Sequence, residues 1–348
     1  MVNFILKVIL CILATGVSSE RERRRNHKRI NDYSKPLPYT YVHADTVPNE
    51  FSWNDVNGTS FLTRALNQHI PQYCGSCWAH AAISALQDRI KIFKHVHTSI
   101  VGPDVYLSIQ FILNCGADIA GSCRGGSATG AYELIKSMGF IPFESCQPYI
   151  ACSKDSGEGF CPFTDPECSP MNICRTCTNP WKGGECASID EFPNATIADY
   201  GMYLNPTVDM IKAEIFARGP VTTGIHGPGL KDYIGGIIRF SGDDDNLSLT
   251  HEVSIVGWGV DAMSDTEFWI VRNSHGEYWG EFSFFRIEMG FNVLGIETEI
   301  SFATPGTFSI HNRACLADGT CFDRSSHVQY LDSSLSKTAY GLRILKSL

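Results

Sequence analysis

Past its first nineteen residues the chain lacks any apolar run long enough to cross a bilayer, which excludes a body built of membrane-spanning helices. It also lacks an evident internal repeat. Positive charge is scarce where nucleic acid would need it. Residues 1–47 hold eight Lys or Arg and four Asp or Glu, leaving 20 basic and 33 acidic residues, a net of −13, in the remainder. So acidic a body is a poor partner for a polyanion. Charged residues make up only 19% of the 348 and hydrophobic ones 43%, which excludes disorder and fibre and supplies a core for one large domain or two lobes.

What is present begins with MVNFILKVILCILATGVSS, a single lysine, an apolar run and small residues at Val17–Ser19, which reads over residues 1–19 as a secretory signal peptide. Acceptor triplets at Asn57, Asn194 and Asn246 fit that compartment as glycosylation sites; Asn205 is excluded by Pro206. Of 14 cysteines Cys11 leaves with the signal, and if Cys77 keeps its thiol the remaining twelve are even in number and can all pair in an oxidising lumen. Residues 20–46, which include RERRRNHKR, are too polar to fold alone and read as a short removable propeptide.

Apolar residues at Ile83, Leu86, Ile90 and Phe93 recur at helical spacing, so the pattern predicts a helix from Cys77 to about Lys94 with Ser76 capping its first turn. A second helix is expected over Gly130–Met138. The seven cysteines of residues 146–186, set among Pro, Gly and Asn, predict loops held by disulfides. Downstream, HEVSIVGWG from His251, EFWIVRNS from Glu267 and FSFFRIEMG from Phe282 read as successive strands. The expected fold class is therefore α+β with two lobes and a site in the cleft between them: a large domain over 47–305, helical over about 47–187 and sheet-rich over about 188–305. Residues 306–348, with Cys315 and Cys321, carry no strong pattern; they read as a C-terminal extension of unknown role, an appendage closed by its own disulfide.

The chemistry centres on NQHIPQYCGSCWAHA, residues 67–81. A cysteine in the first turn of a helix has its thiolate stabilised by unpaired backbone donors and the helix dipole, and Cys77 holds that place. Three chemistries compete for it. A redox pair of Cys74 and Cys77 calls for a βαβ setting that this glycine-rich surround does not supply. A zinc site could join Cys74 and Cys77 to Cys174 and Cys177, though nearly a hundred residues separate the pairs and a secretory lumen oxidises thiols. Nucleophilic catalysis needs a base, and a third group to orient that base.

Cys74-Gly75-Ser76-Cys77-Trp78 satisfies the C-G-[SA]-C-[WY] signature, and with GSCRGG, ARGPV, YIGGI, HEVSIVGWG and EFWIVRNSHGEYWGE the chain resembles the papain family of cysteine proteases over residues 47–300, within it the lysosomal carboxypeptidases of the cathepsin Z branch. The resemblance implies a papain-like two-lobed fold, helical on one side and β-barrel-like on the other, with Cys77 as nucleophile, His251 as general base and Asn273 orienting the histidine. It also implies Gln68 as side-chain donor of the oxyanion hole beside the Cys77 N–H, and Gly125 and Gly126 lining the substrate cleft. His251 and Asn273 follow Cys77 by 174 and 196 residues, an excess that the cysteine-rich segment accounts for. The pattern further implies disulfides Cys74–Cys123 and Cys115–Cys146, no metal and no cofactor. Its partners are peptides or proteins with a free C-terminal carboxylate and inhibitors of cystatin type, in the lysosome or outside the cell.

Gln68 precedes Cys77 by nine residues, three more than the family pattern, and Gln72, five before it, is the rival donor. The extra residues resemble the mini-loop of the carboxypeptidase branch. Stiffened by Pro71, it would block the primed side of the cleft, and His69 at its base would pair with a substrate carboxylate. His80, one turn after Cys77, is expected to pack or face solvent. The chain departs from the family at His275, where a Trp normally shields the Asn–His bond, so His275→Trp is expected to raise turnover. It departs again at Glu252, expected to point away from His251, at Phe51-Ser52-Trp53, which leaves the mature start near Val47, and in the absence of cysteine from residues 20–46. A broader papain-like endopeptidase or dipeptidase, and a catalytically weak homologue acting as a binding protein, are the alternative readings.

Overall fold

A helix of 22 residues, α1 (Cys77–Thr98), contains neither Gly nor Pro and carries alanines at 79, 81, 82 and 85, all favourable to a long uninterrupted helix. It extends four residues past the expected end. Trp78, Ile83, Leu86, Ile90 and Phe93 are buried along it, and so are Gln87, Asp88 and Arg89, so α1 is enclosed on all sides as far as Ile90. The computed structural model describes residues 36–98, 103–178, 184–242, 247–309, 315–320, 328–330, 340, 341 and 344. The expected signal peptide, residues 20–35 of the arm and the triplet asparagine Asn246 lie outside them.

Two buried ion pairs fasten α1. Asp88 accepts from Thr63 N (2.7 Å) and Thr63 Oγ1 (2.8 Å) and pairs with Arg272. Arg89 reaches Glu214 Oε1 at 3.0 Å and donates to the carbonyls of Pro220 and Gly219. Buried charges paired and hydrogen-bonded in this way fix the relative placement of the elements they join. Further helices are α2 (Ile109–Cys115), capped by Ser108 Oγ, and α3 (Ala128–Met138), capped by Ser127 Oγ and ended by Gly139 at φ 80°, followed by α4 (Val208–Arg218), capped by Thr207.

The sheet is built from β1 (Phe51–Ser52), β2 (Asn194–Leu204), β3 (Val221–Ile225), β4 (His251–Val260), β5 (Glu267–Arg272), β6 (Phe284–Glu288) and β7 (Glu299–Ser309). Its order is β2-β7-β3-β4-β5-β6, with antiparallel neighbours; Ile141–Pro142 extends it beside β2, and Ile237–Ile238 runs parallel to β6. β1 pairs with β4 through Phe51↔Trp258. The three strands expected from the sequence are thus adjacent in the sheet, and α1 lies against β4 and β7. Every residue of β4 from His251 to Gly259 is buried, which a strand covered by a helix on one face and by neighbouring strands on both edges requires.

Five disulfides are described: Cys74–Cys123, Cys115–Cys168, Cys146–Cys174, Cys152–Cys161 and Cys177–Cys186. The first is as expected. The expected Cys115–Cys146 pair is not formed: the cysteine-rich segment folds back so that Cys168 stands 4.7 Å (Cα–Cα) from Cys115 and Cys174 stands 4.2 Å from Cys146. Within that segment Arg175–Thr178 and Glu185–Ser188 form a hairpin clipped by Cys177–Cys186, regular structure where loops were expected.

The described end of the arm is packed rather than loose. Pro38 is buried, Leu37, Tyr41 and Val42 contact the core, Arg218 donates to the Pro36 carbonyl at 2.7 Å, and Tyr39 meets Tyr203 edge-on. The tail also returns to the body: Val328–Tyr330 pairs with β7, Tyr340 is buried against Phe93 and His97, and Ile344 is buried. Cys315 is disulfide-bonded, and Cys321 lies outside the described residues. Asn57 is exposed in a turn, whereas Asn194 is partly buried with Nδ2 donating to Phe192 O at 3.0 Å.

Candidate active site

Cys77 is the first residue of α1, fully buried and outside any disulfide. Its helix end is held by the chain on either side. Cys74 is tied to Cys123, Gly75 N donates to Cys123 O (2.8 Å), and the Trp78 indole Nε1 donates to Ser122 O (3.3 Å) in the Gly121–Ser122 strand, which pairs with Gly125–Gly126. At Gly126 a Cβ would stand 2.3 Å from that ring, so only glycine lets the backbone come so close. The first-turn N–H groups of a helix have no intrahelical acceptors, and their field favours an anion at the Cys77 sulfur.

His251 opens β4, opposite Ile225 of β3, and is 4% exposed. Its Nε2 stands 2.7 Å from Asn273 Oδ1. Asn273 immediately follows β5, anchored by its N–H to Ser283 O (2.8 Å), and its Oδ1 also accepts the Ser274 N–H at 2.8 Å. A main-chain N–H is an unambiguous donor, so the atom facing it is the amide oxygen, and His251 Nε2 must carry a hydrogen toward it.

Gln68 is buried, its Oε1 held by Ser274 Oγ (2.6 Å) and its Nε2 3.1 Å from Cys74 O, beside the thiol's helix end. Its own carbonyl accepts from Tyr149 Oη at 2.6 Å. Gln72, the rival donor, is turned elsewhere: its Nε2 lies 3.3 Å from Ala151 O and 2.6 Å from Cys161 Sγ, its Oε1 accepts from Phe160 N at 3.3 Å, and it belongs to the wall formed by the Cys152–Cys161 loop.

The rings of the site form a stack. Tyr73 and His69 lie 4.8 Å apart at 9°, His69 and His275 5.3 Å apart at 26°, and His275 and His251 5.2 Å apart at 24°. Trp279 closes on His275 edge-first at 5.6 Å. Asn67 bridges to His275 and Gln68 N donates to Ser274 O, so the segment before the thiol is zipped to the segment after Asn273. Glu252 is buried, and its carboxylate adds to the burial that raises the Tyr132 phenol. His80 is buried against Tyr149, with Nδ1 3.0 Å from Ser76 O.

The model of papain family cysteine proteases matches residues 47–304. The chain belongs to that family. It is 37% identical over 244 residues to a cathepsin Z of Onchocerca volvulus, covering 70% of this chain and 71% of the relative. It is 28% identical to a viral cathepsin of Epiphyas postvittana nucleopolyhedrovirus over 73% of this chain; the alignment spans 64% of that longer relative. Among solved structures, the bromelain protease of Ananas comosus in complex with the E64 inhibitor superposes with a TM-score of 0.53 at 26% identity, over 74% of this chain and 99% of that one. The digestive procathepsin L2 of Tenebrio molitor, at 22% identity and a TM-score of 0.59 over 83% and 80% of the two chains, shares the papain-like fold.

A family that acts on peptides and proteins agrees with how the cysteines are used. Cys74, Cys174 and Cys177 are all in disulfides, which removes both the four-thiolate zinc set and the Cys74–Cys77 redox pair. Sequence reasoning did not single out Ser274 or Tyr149. Ser274 could have been found, since it sits between two residues of the Asn-Ser-His motif. Tyr149 lies in the disulfide-bound loop, where no periodicity marks it.

Proposed function

We propose that this papain-family protease is a cysteine-type carboxypeptidase, with Cys77, His251, Asn273 and Gln68 as its catalytic set. His251 offers Nε2–H to Asn273, so Nδ1 is the nitrogen that shares a proton with the Cys77 sulfur. The thiolate attacks the scissile carbonyl carbon, and the resulting oxyanion is held by the Cys77 N–H and Gln68 Nε2. His251 gives its proton to the leaving amine as the C–N bond breaks, leaving a thioester on Cys77. His251 then takes a proton from water, and hydroxide releases the shortened peptide and the thiolate.

The observation that carries the exopeptidase reading is the position of His69. Its ring lies one imidazole away from His251, at the foot of the Ile70–Pro71 insertion. A cation there would meet a carboxylate one residue beyond the scissile bond, and the exposed Ile70 of the insertion would stand in the way of a longer peptide. The likeness to cathepsin Z supports the same reading. Gly125 and Gly126 present backbone to the substrate on the unprimed side. Five disulfides support a secretory-pathway enzyme, lysosomal or secreted, made with residues 20–46 as a removable propeptide and open to inhibitors of cystatin type.

The test is to incubate the mature enzyme with a peptide and with its C-terminal amide, with and without a thiol-reactive epoxide. Loss of one residue from the free acid alone, abolished by the epoxide, is expected. Internal cuts would replace this reading with an endopeptidase, and no cleavage with a binding protein.

A further inference from the structure

His275, stacked between His69 and His251, is bound on its edge as well as its faces. Asn273 Oδ1 accepts from Ser274 N and from His251 Nε2, so the other amide atom is the NH2 group, and it stands 3.0 Å from His275 Nδ1. An NH2 can only donate there. His275 Nδ1 must therefore be an acceptor, which makes His275 a neutral imidazole with its hydrogen on Nε2. A cationic His275 would point an N–H at the Asn273 NH2 and would stack between His69 and His251, the two rings that must be cationic to work. The Trp279 ring and the Asn67 backbone, both uncharged, also meet it.

We infer that His275 is a positioning residue that sets both working histidines at once. Through Nδ1 it holds the Asn273 amide in the orientation that fixes His251, and through its face it holds His69 at the far side of the cleft. The His69 half rests on the carboxypeptidase reading; the Asn273 half does not. In this chain position 275 thus combines a flat ring with an acceptor at the Nδ1 place. Tryptophan has the ring and not the acceptor. His275→Trp would therefore gain shielding and lose this hydrogen bond.

Two substitutions separate the halves. His275→Phe keeps a ring for both stacks and removes the acceptor; His275→Asn puts an amide oxygen near the Nδ1 position and removes the ring. Two readouts are taken: the rate of Cys77 alkylation by iodoacetamide, which reports the thiolate–imidazolium pair without any peptide, and kcat and KM on a free-acid peptide. His275→Phe is expected to slow alkylation and lower kcat about fivefold, the factor one neutral hydrogen bond supplies, at unchanged KM. His275→Asn is expected to alkylate within about twofold of wild type and to raise KM severalfold. Wild-type ring-nitrogen NMR shifts at neutral pH are expected to report the Nε2–H tautomer at His275. Wild-type alkylation in His275→Phe, unchanged KM in His275→Asn, or a cationic or Nδ1–H ring at 275 would each overturn the inference. A wild-type enzyme that removes no residue from the free acid would instead sink the carboxypeptidase reading, and the alkylation and NMR results would still decide the Asn273 half.

Discussion

His80 sits one turn into the helix that presents the thiol, 2% exposed and edge-on to Tyr149. Burial lowers its pKa from 6.5 to about 4; the Ser76 carbonyl opposes that shift and the charge of His69 adds to it. A base whose pKa falls on folding is neutral in the native state and takes up its proton more readily when unfolded. Its contribution to stability is therefore complete above pH 6.5 and is lost as the pH falls toward 4. Integrating between those two values gives a loss of about 2 kcal/mol at pH 5 and about 3 kcal/mol at pH 4 from this one side chain. The measurement is denaturant unfolding with disulfides intact at pH 7.5 and pH 5, in a Cys77→Ala background that prevents self-digestion, with and without His80→Gln. Carboxylates titrate in both proteins and cancel in the comparison. The fall in stability from pH 7.5 to pH 5 is expected to be smaller by about 2 kcal/mol in the glutamine variant. Equal falls in the two proteins would refute the account of a buried neutral imidazole.

Other tests bear on separate parts of the molecule. Gln68→Ala is expected to lower kcat by about 10²–10³-fold, the usual loss for one oxyanion donor, whereas Gln72→Ala, whose amide faces the Cys152–Cys161 loop, should stay within about twofold; the opposite ranking would exchange their roles. Residues 20–46 contain no cysteine to bond Cys77, so reductant alone should leave the precursor latent; activation by a thiol without any cleavage would contradict that. Gly126→Ala places a methyl 2.3 Å from the Trp78 ring and is expected to cost about 1–3 kcal/mol of stability, read as a lower unfolding midpoint; an unchanged midpoint would mean that the hairpin is free to shift.

Much of the local structure was legible because it obeys local rules. The α1 periodicity, the absence of Gly and Pro within it and the thiol at its first turn follow from residues near one another in the chain, as do the strands that begin at His251 and Glu267. The Cys, His and Asn of the proposed site were singled out through their motifs, and the fold brings His251 and Asn273 together although 22 residues separate them. Disulfide connectivity was not legible. Cys115, Cys146, Cys168 and Cys174 can pair in several ways, and the choice depends on how an irregular segment folds back on α2, which no periodicity records. The packing of the arm on α4 and of the tail on Phe93 likewise depends on surfaces that exist only once the body has folded.

The sequence by itself determined that a cysteine would stand at a helix start in a disulfide-bonded α+β protein, since helix periodicity, turn chemistry and cysteine number are written residue by residue. Only the tertiary structure decided that Gln68 rather than Gln72 faces the thiol's end of the helix, and that His275 joins His69 to His251 in one stack. Those outcomes depend on which side chains from distant segments share the same few ångströms, a matter of packing that spacing along a chain leaves open.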